Sequence, residues 1–367
     1  MKTTATITTH AALNYGAVLQ AYALNSYINE QGVSCKILNY VPAHVKKSYR
    51  LISKPKSLQG AVLSAFQMLH YTARKTRKQR FKDFSDTHLQ LSGDEISDHN
   101  TLIETANTFD TVVCGSDQIW SPILHDFDEA YFLSFSQVTA RRVSYAASFG
   151  QDRIDETVKP ELTRRLSGFS DFACREYSGQ KLIAELTGKQ APLVLDPVFL
   201  LDASHWRSLA KPAKTNGPYA LVYFLSNPGR SPIVAKRYAA QNKLDTLSIG
   251  FSPRDHKYGI HCDYSLGPQE FLGAIESAEV ILTNSFHCTA FAILMEKNFY
   301  TRISDRKDSR NDRMITLLKE LGLEDRLYYD RDADKLDFQK PIDYTAVRER
   351  LQKKITESKN YLQNILK

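Results

Sequence analysis

The sequence predicts two α/β domains that face each other across a cleft, and three observations carry that prediction. Short apolar segments without strict alternation recur along both halves, as in strands buried on both faces of a parallel sheet. Segments with helical spacing of apolar positions lie between them, which makes βαβ units. The 367 residues exceed what one ordinary core holds.

In order along the chain, residues 4–9 read as a strand. Residues 14–30 follow with apolar positions at helical spacing: Val18, Leu19, Tyr22, Ala23 and Tyr27. Further short apolar strands are expected at 34–40, 110–114, 142–147, 172–175 and 193–195. The polar, turn-rich stretch 211–218 is a candidate linker or domain-edge loop. Beyond it, strands are expected at 219–225, 244–249, 279–283 and 299–303, a helix with proline near its start at 268–277, and an apolar helical run at 289–295. Residues 344–366 form one long amphipathic helix, with Val347, Leu351, Ile355, Tyr361, Leu362 and Ile365 on its apolar side. The expected organisation is a first domain over 1–202, a second over 203–343, and a C-terminal helix over 344–367. That helix is expected to pack back toward the first domain.

Composition narrows the class. Hydrophobic residues make up 42% and charged residues 24%, which suits a soluble globular protein and not a disordered or fibrous one. No run approaches the roughly 18 apolar residues that span a bilayer. The first residues lead into a strand without a secretory apolar stretch, so a cytoplasmic location is expected. The five cysteines are odd in number and show no CxxC spacing, so buried free thiols are expected and disulfides or structural zinc are not. The net charge of +7 favours anionic partners.

Part of that charge is concentrated. Residues 44–82 contain no acid, within an expected basic helical insertion at about 44–85. Lys46, Lys47, Arg50, Lys54 and Lys56 precede the apolar patch 61–66, and Arg74, Lys75, Arg77, Lys78, Arg80 and Lys82 follow it. Such a segment either lies on anionic lipid or forms a solvated basic helix pair over the sheet. No nucleic-acid-binding motif accompanies it, so nucleic acid is not an expected partner.

Five motifs can carry chemistry. Asn14, Tyr15 and Gly16 stand where the first strand meets the first helix. There Asn14 caps the helix, or the helix amides and Gly16 meet an anion or a sugar hydroxyl. Ser116, Asp117 and Gln118 follow the strand ending at Cys114, at the carboxyl edge where open α/β sheets bind ligands; Asp117 suits a base or a hydroxyl acceptor there, or a helix cap. Arg175 closes the mid-chain strand, where its fork suits a carboxylate or phosphate, or a surface ion pair. Asn284, Ser285 and His287 open the apolar helix after 279–283, with His287 in the first turn. The charged run 304–313 follows the last strand, and Lys307 and Arg310 are its candidate anion ligands.

Taken in order, the segments at 14–24, 112–120, 143–150, 173–179, 194–201, 270–293 and 310–326 resemble the polysaccharide pyruvyl transferase family. They span nearly the whole chain. The resemblance implies a GT-B-like pair of Rossmann-like domains with the active site between them. It implies transfer of the pyruvyl group of phosphoenolpyruvate onto two hydroxyls of one sugar as a ketal, with release of phosphate. His287 would be the general acid or base, with Asp117 as a second catalytic group. Arg175, Asn284, Ser285, Lys307 and Arg310 would bind the donor, and Asn14, Tyr15, Gly16, Ser116 and Gln118 the acceptor. Some members carry arginine two residues before the histidine, where this chain has Ser285; many carry glycine after it, where this chain has Cys288.

The residue types agree with that chemistry. A near-trianionic donor needs cations and helix N-terminal amides. A cationic intermediate is stabilised by a carboxylate such as Asp117 or Glu176. No redox cofactor is required, and no metal ligand cluster is evident. Expected partners are phosphoenolpyruvate, a sugar or lipid-linked oligosaccharide, and an anionic membrane surface through 44–82, which would place the protein at the inner face of the plasma membrane. A nucleotide-sugar glycosyltransferase of the same shape and a non-catalytic scaffold are the competing classes.

Overall fold

Parallel strands explain the short apolar segments, because the inner strands Thr111–Cys114, Tyr219–Tyr223 and Val280–Thr283 are buried throughout. The computed structural model describes residues 2–52, 55, 57–215, 217–250, 258–305 and 311–367. In its first half, β1 (Thr3–Ile7), β2 (Ser34–Ile37), β3 (Thr111–Cys114), β4 (Arg141–Ser144) and β5 (Phe169–Asp171) form one parallel sheet in the order β2-β1-β3-β4-β5. Helices α1 (Tyr15–Glu30), α2 (Ala43–Ser48), α3 (Leu58–Leu69), α4 (Tyr71–His88), α5 (His99–Ala106), α6 (Lys159–Leu166) and α7 (Tyr177–Thr187) intervene.

After α8 (Ala203–Leu209) comes the second parallel sheet. It holds β6 (Tyr219–Tyr223), β7 (Asp245–Ser248), β8 (His261–Cys262), β9 (Val280–Thr283), β10 (Asn298–Arg302) and β11 (Leu327–Tyr328), in the order β11-β10-β9-β6-β7-β8. Its helices are α9 (Ser231–Gln241), α10 (Pro268–Glu276), α11 (Phe286–Leu294) and α12 (Asp312–Leu321). The chain is thus two parallel-sheet α/β domains, and all strands of a sheet end at one edge.

The final helix, α13 (Tyr344–Leu366), returns to the first sheet. The Leu195 amide donates to Ser358 Oγ at 2.9 Å, Tyr361 donates to the Ser144 carbonyl at 2.9 Å, and Arg141 donates to the Ile365 carbonyl at 2.8 Å. Val347, Leu351 and Leu362 join an apolar core that runs from α1 through α10 and α11 to both sheets.

Two segments differ from the sequence reading. Residues 193–195 make only an isolated bridge between Leu193 and Cys174, because the chain turns at once into the 3-10 turn Pro197–Leu200. The strand expected at 172–175 lies earlier, as β5; its successor residues run extended, with Cys174 bridged to Ala147. All five cysteines are free, four of them buried and Cys262 half-buried. Among the described residues no helix is long and apolar enough to cross a membrane.

Candidate functional site

The site forms where the carboxyl edges of β3, β4 and β9 converge. After β3 the chain bends at Gly115, whose φ of 132° favours glycine and where a Cβ would stand 2.1 Å from the Tyr145 carbonyl oxygen. That turn directs Ser116 and Asp117 inward. Ser116 is buried and satisfied by protein: its hydroxyl lies 3.1 Å from both the Ala146 carbonyl and Asp196 Oδ2, and its amide donates to Gln20 Oε1 at 3.3 Å. Gln20 in turn donates to Thr8 Oγ1 at 2.8 Å, which ties the ends of β1 and β3 to α1.

Arg175 is the centre of the cluster. Its side chain is buried and ion-paired with Asp196 through Nη1, while Nη2 donates to Asp117 Oδ1 at 3.1 Å. Asp117 also accepts from Thr9 Oγ1 at 3.3 Å. Phe286 lies over the guanidinium at 4.7 Å. Burial opposes the arginine's charge, but Asp196, Asp117 and Glu176 outweigh it and hold the guanidinium protonated. Among the described residues nothing accepts a hydrogen bond from Nε, which has Glu176 at 3.8 Å.

The three carboxylates divide by environment. Burial opposes the charge of Asp196 too, yet His287, Arg175 and the Val198 amide hold it below the usual carboxylate range. Glu176 is as buried, and among the described residues neither of its oxygens accepts a well-formed hydrogen bond. Burial pushes its carboxyl up to about 7, with Arg175 only partly opposing.

His287 reaches this cluster from the second sheet. Ser285 caps α11, its hydroxyl accepting from the Cys288 amide at 3.4 Å and its own amide donating to Thr283 Oγ1 at 3.0 Å. The helix therefore starts three residues before the apolar run at 289–295, and His287 stands in its first turn, buried, with Nε2 at 3.5 Å from Asp196 Oδ2. Gly16 makes room for the ring: a Cβ on it would stand 2.0 Å from His287 Nδ1.

The remaining candidates are distributed around that core. Asn14 is the cap of α1, its Oδ1 accepting from the amides of Gly16 at 3.0 Å and Ala17 at 3.3 Å. Tyr15 packs between the two halves, stacked on Phe271 at 4.4 Å with its hydroxyl donating to the Leu266 carbonyl at 3.0 Å. Asn284 braces the loop after β6, accepting from the Leu225 amide and donating to Ser226 Oγ, both at 2.8 Å. Gln118 lies against Arg313 and, with its amide oxygen turned that way, accepts from both guanidinium Nη atoms. Lys307 and Arg310 lie outside the described residues.

Two groups escaped the sequence reading. Asp196 joins Arg175, Ser116 and His287. Its signal was a lone acid inside the apolar run 194–201, which can be buried only if paired. Arg313 lies in the first turn of α12 with Phe286 beneath it at 5.7 Å. Its signal was its place in the basic run after β10. The spaces between these groups are small, about 20 Å³ beside Arg175 and Asp196 and about 10 Å³ beside Glu176 and Arg313.

No curated protein matches the sequence. Among solved structures, S. aureus MnaA in its co-structure with UDP is 11% identical with a TM-score of 0.51, over 91% of this chain and 87% of that one. A Listeria monocytogenes protein assigned as a UDP-N-acetylglucosamine 2-epimerase is 12% identical with a TM-score of 0.50, over 95% and 94%. At such identity the likeness is one of fold, the GT-B arrangement. The profile of the family described as polysaccharide pyruvyl transferase matches residues 14–304, which include all the described site residues up to His287, and this chain belongs to that family.

Proposed function

We propose that this chain moves the pyruvyl group of phosphoenolpyruvate onto two hydroxyls of one sugar in a surface polysaccharide or its lipid-linked precursor. One observation carries the reading: a buried cluster joins His287, from the edge of one sheet, to Arg175, Asp196 and Asp117 at the edge of the other. Family membership supports the reaction class.

The reaction adds one sugar oxygen to the central carbon of the enol phosphate while a proton reaches its methylene carbon. The carbon–oxygen bond to phosphate then breaks, and the second sugar oxygen takes its place. Two hydroxyl protons leave the sugar; one ends on the new methyl group and one on the released phosphate. The exchange is redox-neutral, so it needs no redox cofactor.

His287 suits the proton transfers, with Asp196 Oδ2 at 3.5 Å from its Nε2 to orient the ring. Glu176 carries a proton below about pH 7 and is a second acid beside the cluster. Asp117, with one oxygen toward Thr9, suits a sugar hydroxyl or the cationic central carbon. For the donor anion, Arg175 offers its unoccupied Nε, the amides of α11 lie close by, and Lys307 and Arg310 follow on the chain. Arg313 adds a cation, its guanidinium 5.7 Å from the Phe286 ring. Neither small cavity is large enough for a phosphoenolpyruvate.

The test is phosphate release from phosphoenolpyruvate across a panel of acceptor saccharides, with the ketal methyl group followed by proton NMR. Gly16→Ala is the informative variant. Its Cβ would stand 2.0 Å from His287 Nδ1 and displace the buried ring, an overpacking that costs about 1–3 kcal/mol, so thermal melting is recorded beside turnover to show that the variant is folded. Turnover should fall by about a hundredfold, as it should in His287→Ala. Full turnover in both variants would remove His287 from the mechanism.

A further inference from the structure

The helix α3 is inverted. Its polar Ser64 and Gln67 are 7% and 5% exposed, while Leu58, Val62, Met68 and Leu69 are 85%, 59%, 62% and 79% exposed. On the inner side Ser64 Oγ donates back to the Gly60 carbonyl at 2.9 Å, and Phe66 meets Tyr264 edge-on at 5.6 Å. An aliphatic face turned to water in this way marks an interaction surface.

Its surroundings are cationic. The sequence from 44 to 82 has no acid, and α4, which starts two residues after α3 ends, exposes Lys75, Lys78 and Lys82 at helical spacing. Lys82 pairs with Asp86. The end of α3 at Leu69 also borders an open groove of about 720 Å³ that presents Lys211 and Lys214. The two acids in that groove are already engaged: Asp263 accepts from Ser265 at 2.7 Å, and Glu270 pairs with Arg80 at 3.4 Å.

We infer that α3 and the start of α4 form a docking surface for an anionic phospholipid membrane. Exposed aliphatic side chains beside Lys75 and Lys78, which pair with no acid among the described residues, match an acyl boundary beneath acidic headgroups. A second copy of this chain is a poor fit, because pairing through the same face would set cations against cations. The surface is joined to the cleft. Arg77 of α4 donates to the Leu13 carbonyl at 3.3 Å and stacks at 4.7 Å on Tyr15, the residue before the glycine that receives His287. Docking at α3 would therefore hold the cleft beside the bilayer. The inference concerns this surface alone and does not rest on the chemistry of the cleft.

Cosedimentation with vesicles of phosphatidylcholine, with and without phosphatidylglycerol, tests it. The protein should bind the anionic vesicles, and more weakly as salt rises. A variant carrying Leu58→Ser, Val62→Ser, Met68→Ser and Leu69→Ser should bind about tenfold more weakly or less, with its circular dichroism unchanged. A second variant, Lys75→Gln with Lys78→Gln, leaves the apolar face intact and should lose about tenfold of the affinity for anionic vesicles only. The inference is overturned if the wild-type chain stays in the supernatant or if both variants bind as it does. It is equally overturned if the wild type is a dimer that the serine variant converts to a monomer, because the face would then belong to a second copy.

Discussion

Glu176 is the carboxylate that the buried cluster leaves least compensated. Arg175 is bonded to Asp196 and Asp117 and meets Glu176 only at 3.8 Å. Its carboxyl, ordinarily at 4.5, is pushed up to about 7 by burial. The folded chain thus holds this proton more tightly than the unfolded chain does, so between those values rising pH removes stability. The difference amounts to about 3 kcal/mol. Glu176→Gln abolishes the titration, so its melting temperature relative to wild type should rise between about pH 5 and about pH 8. An offset that does not change with pH would mean that Glu176 titrates normally. His287 and Asp117 were legible in the sequence because each follows an apolar strand, where a parallel sheet presents its carboxyl edge; Arg175 was legible from the apolar stretch 172–174, of which only Cys174 is bridged to the sheet. Asp196 was harder to see, since it follows a bridge residue in a turn and not a regular strand.

The secondary elements show the same limit. Periodicity located α13 to the residue, because its amphipathic face is long and unbroken. In α11 the apolar run alone placed the start three residues late, since the cap at Ser285 decides where the helix begins. In α3, spacing revealed an apolar face but not which way it points. In α4 the arginines of the basic run turned out to be structural: Arg74 donates to the Leu51 carbonyl at 2.9 Å and Arg80 to the Ser265 carbonyl at 3.1 Å. The return of α13 to the first sheet carries its own prediction. Leu362 is fully buried in the shared core. Leu362→Ala should lower stability by about 3 kcal/mol in urea unfolding, through lost burial and the cavity left behind. A loss below about 1 kcal/mol would mean that the helix packs loosely.

Across the whole molecule, the two-sheet architecture could be read from the alternation of short apolar strands and helices, and the family from ordered motifs along most of the chain. The closeness of the two sheet edges could not. It depends on Gly16 admitting His287 and on Asp196 bridging to it, contacts between residues far apart in sequence. The fold itself does not choose between pyruvyl transfer and nucleotide-sugar chemistry, since solved structures of this shape include a co-structure with UDP. Calorimetric titration of phosphoenolpyruvate and of uridine diphosphate into the wild-type chain and into Arg175→Lys separates the two. The expected result is binding of phosphoenolpyruvate by the wild type, weakened by at least about tenfold in Arg175→Lys, which keeps the charge but loses the planar fork. Uridine diphosphate should give no heat. Binding of uridine diphosphate with no binding of phosphoenolpyruvate, with or without an acceptor saccharide present, would contradict pyruvyl transfer and point to a glycosyltransferase.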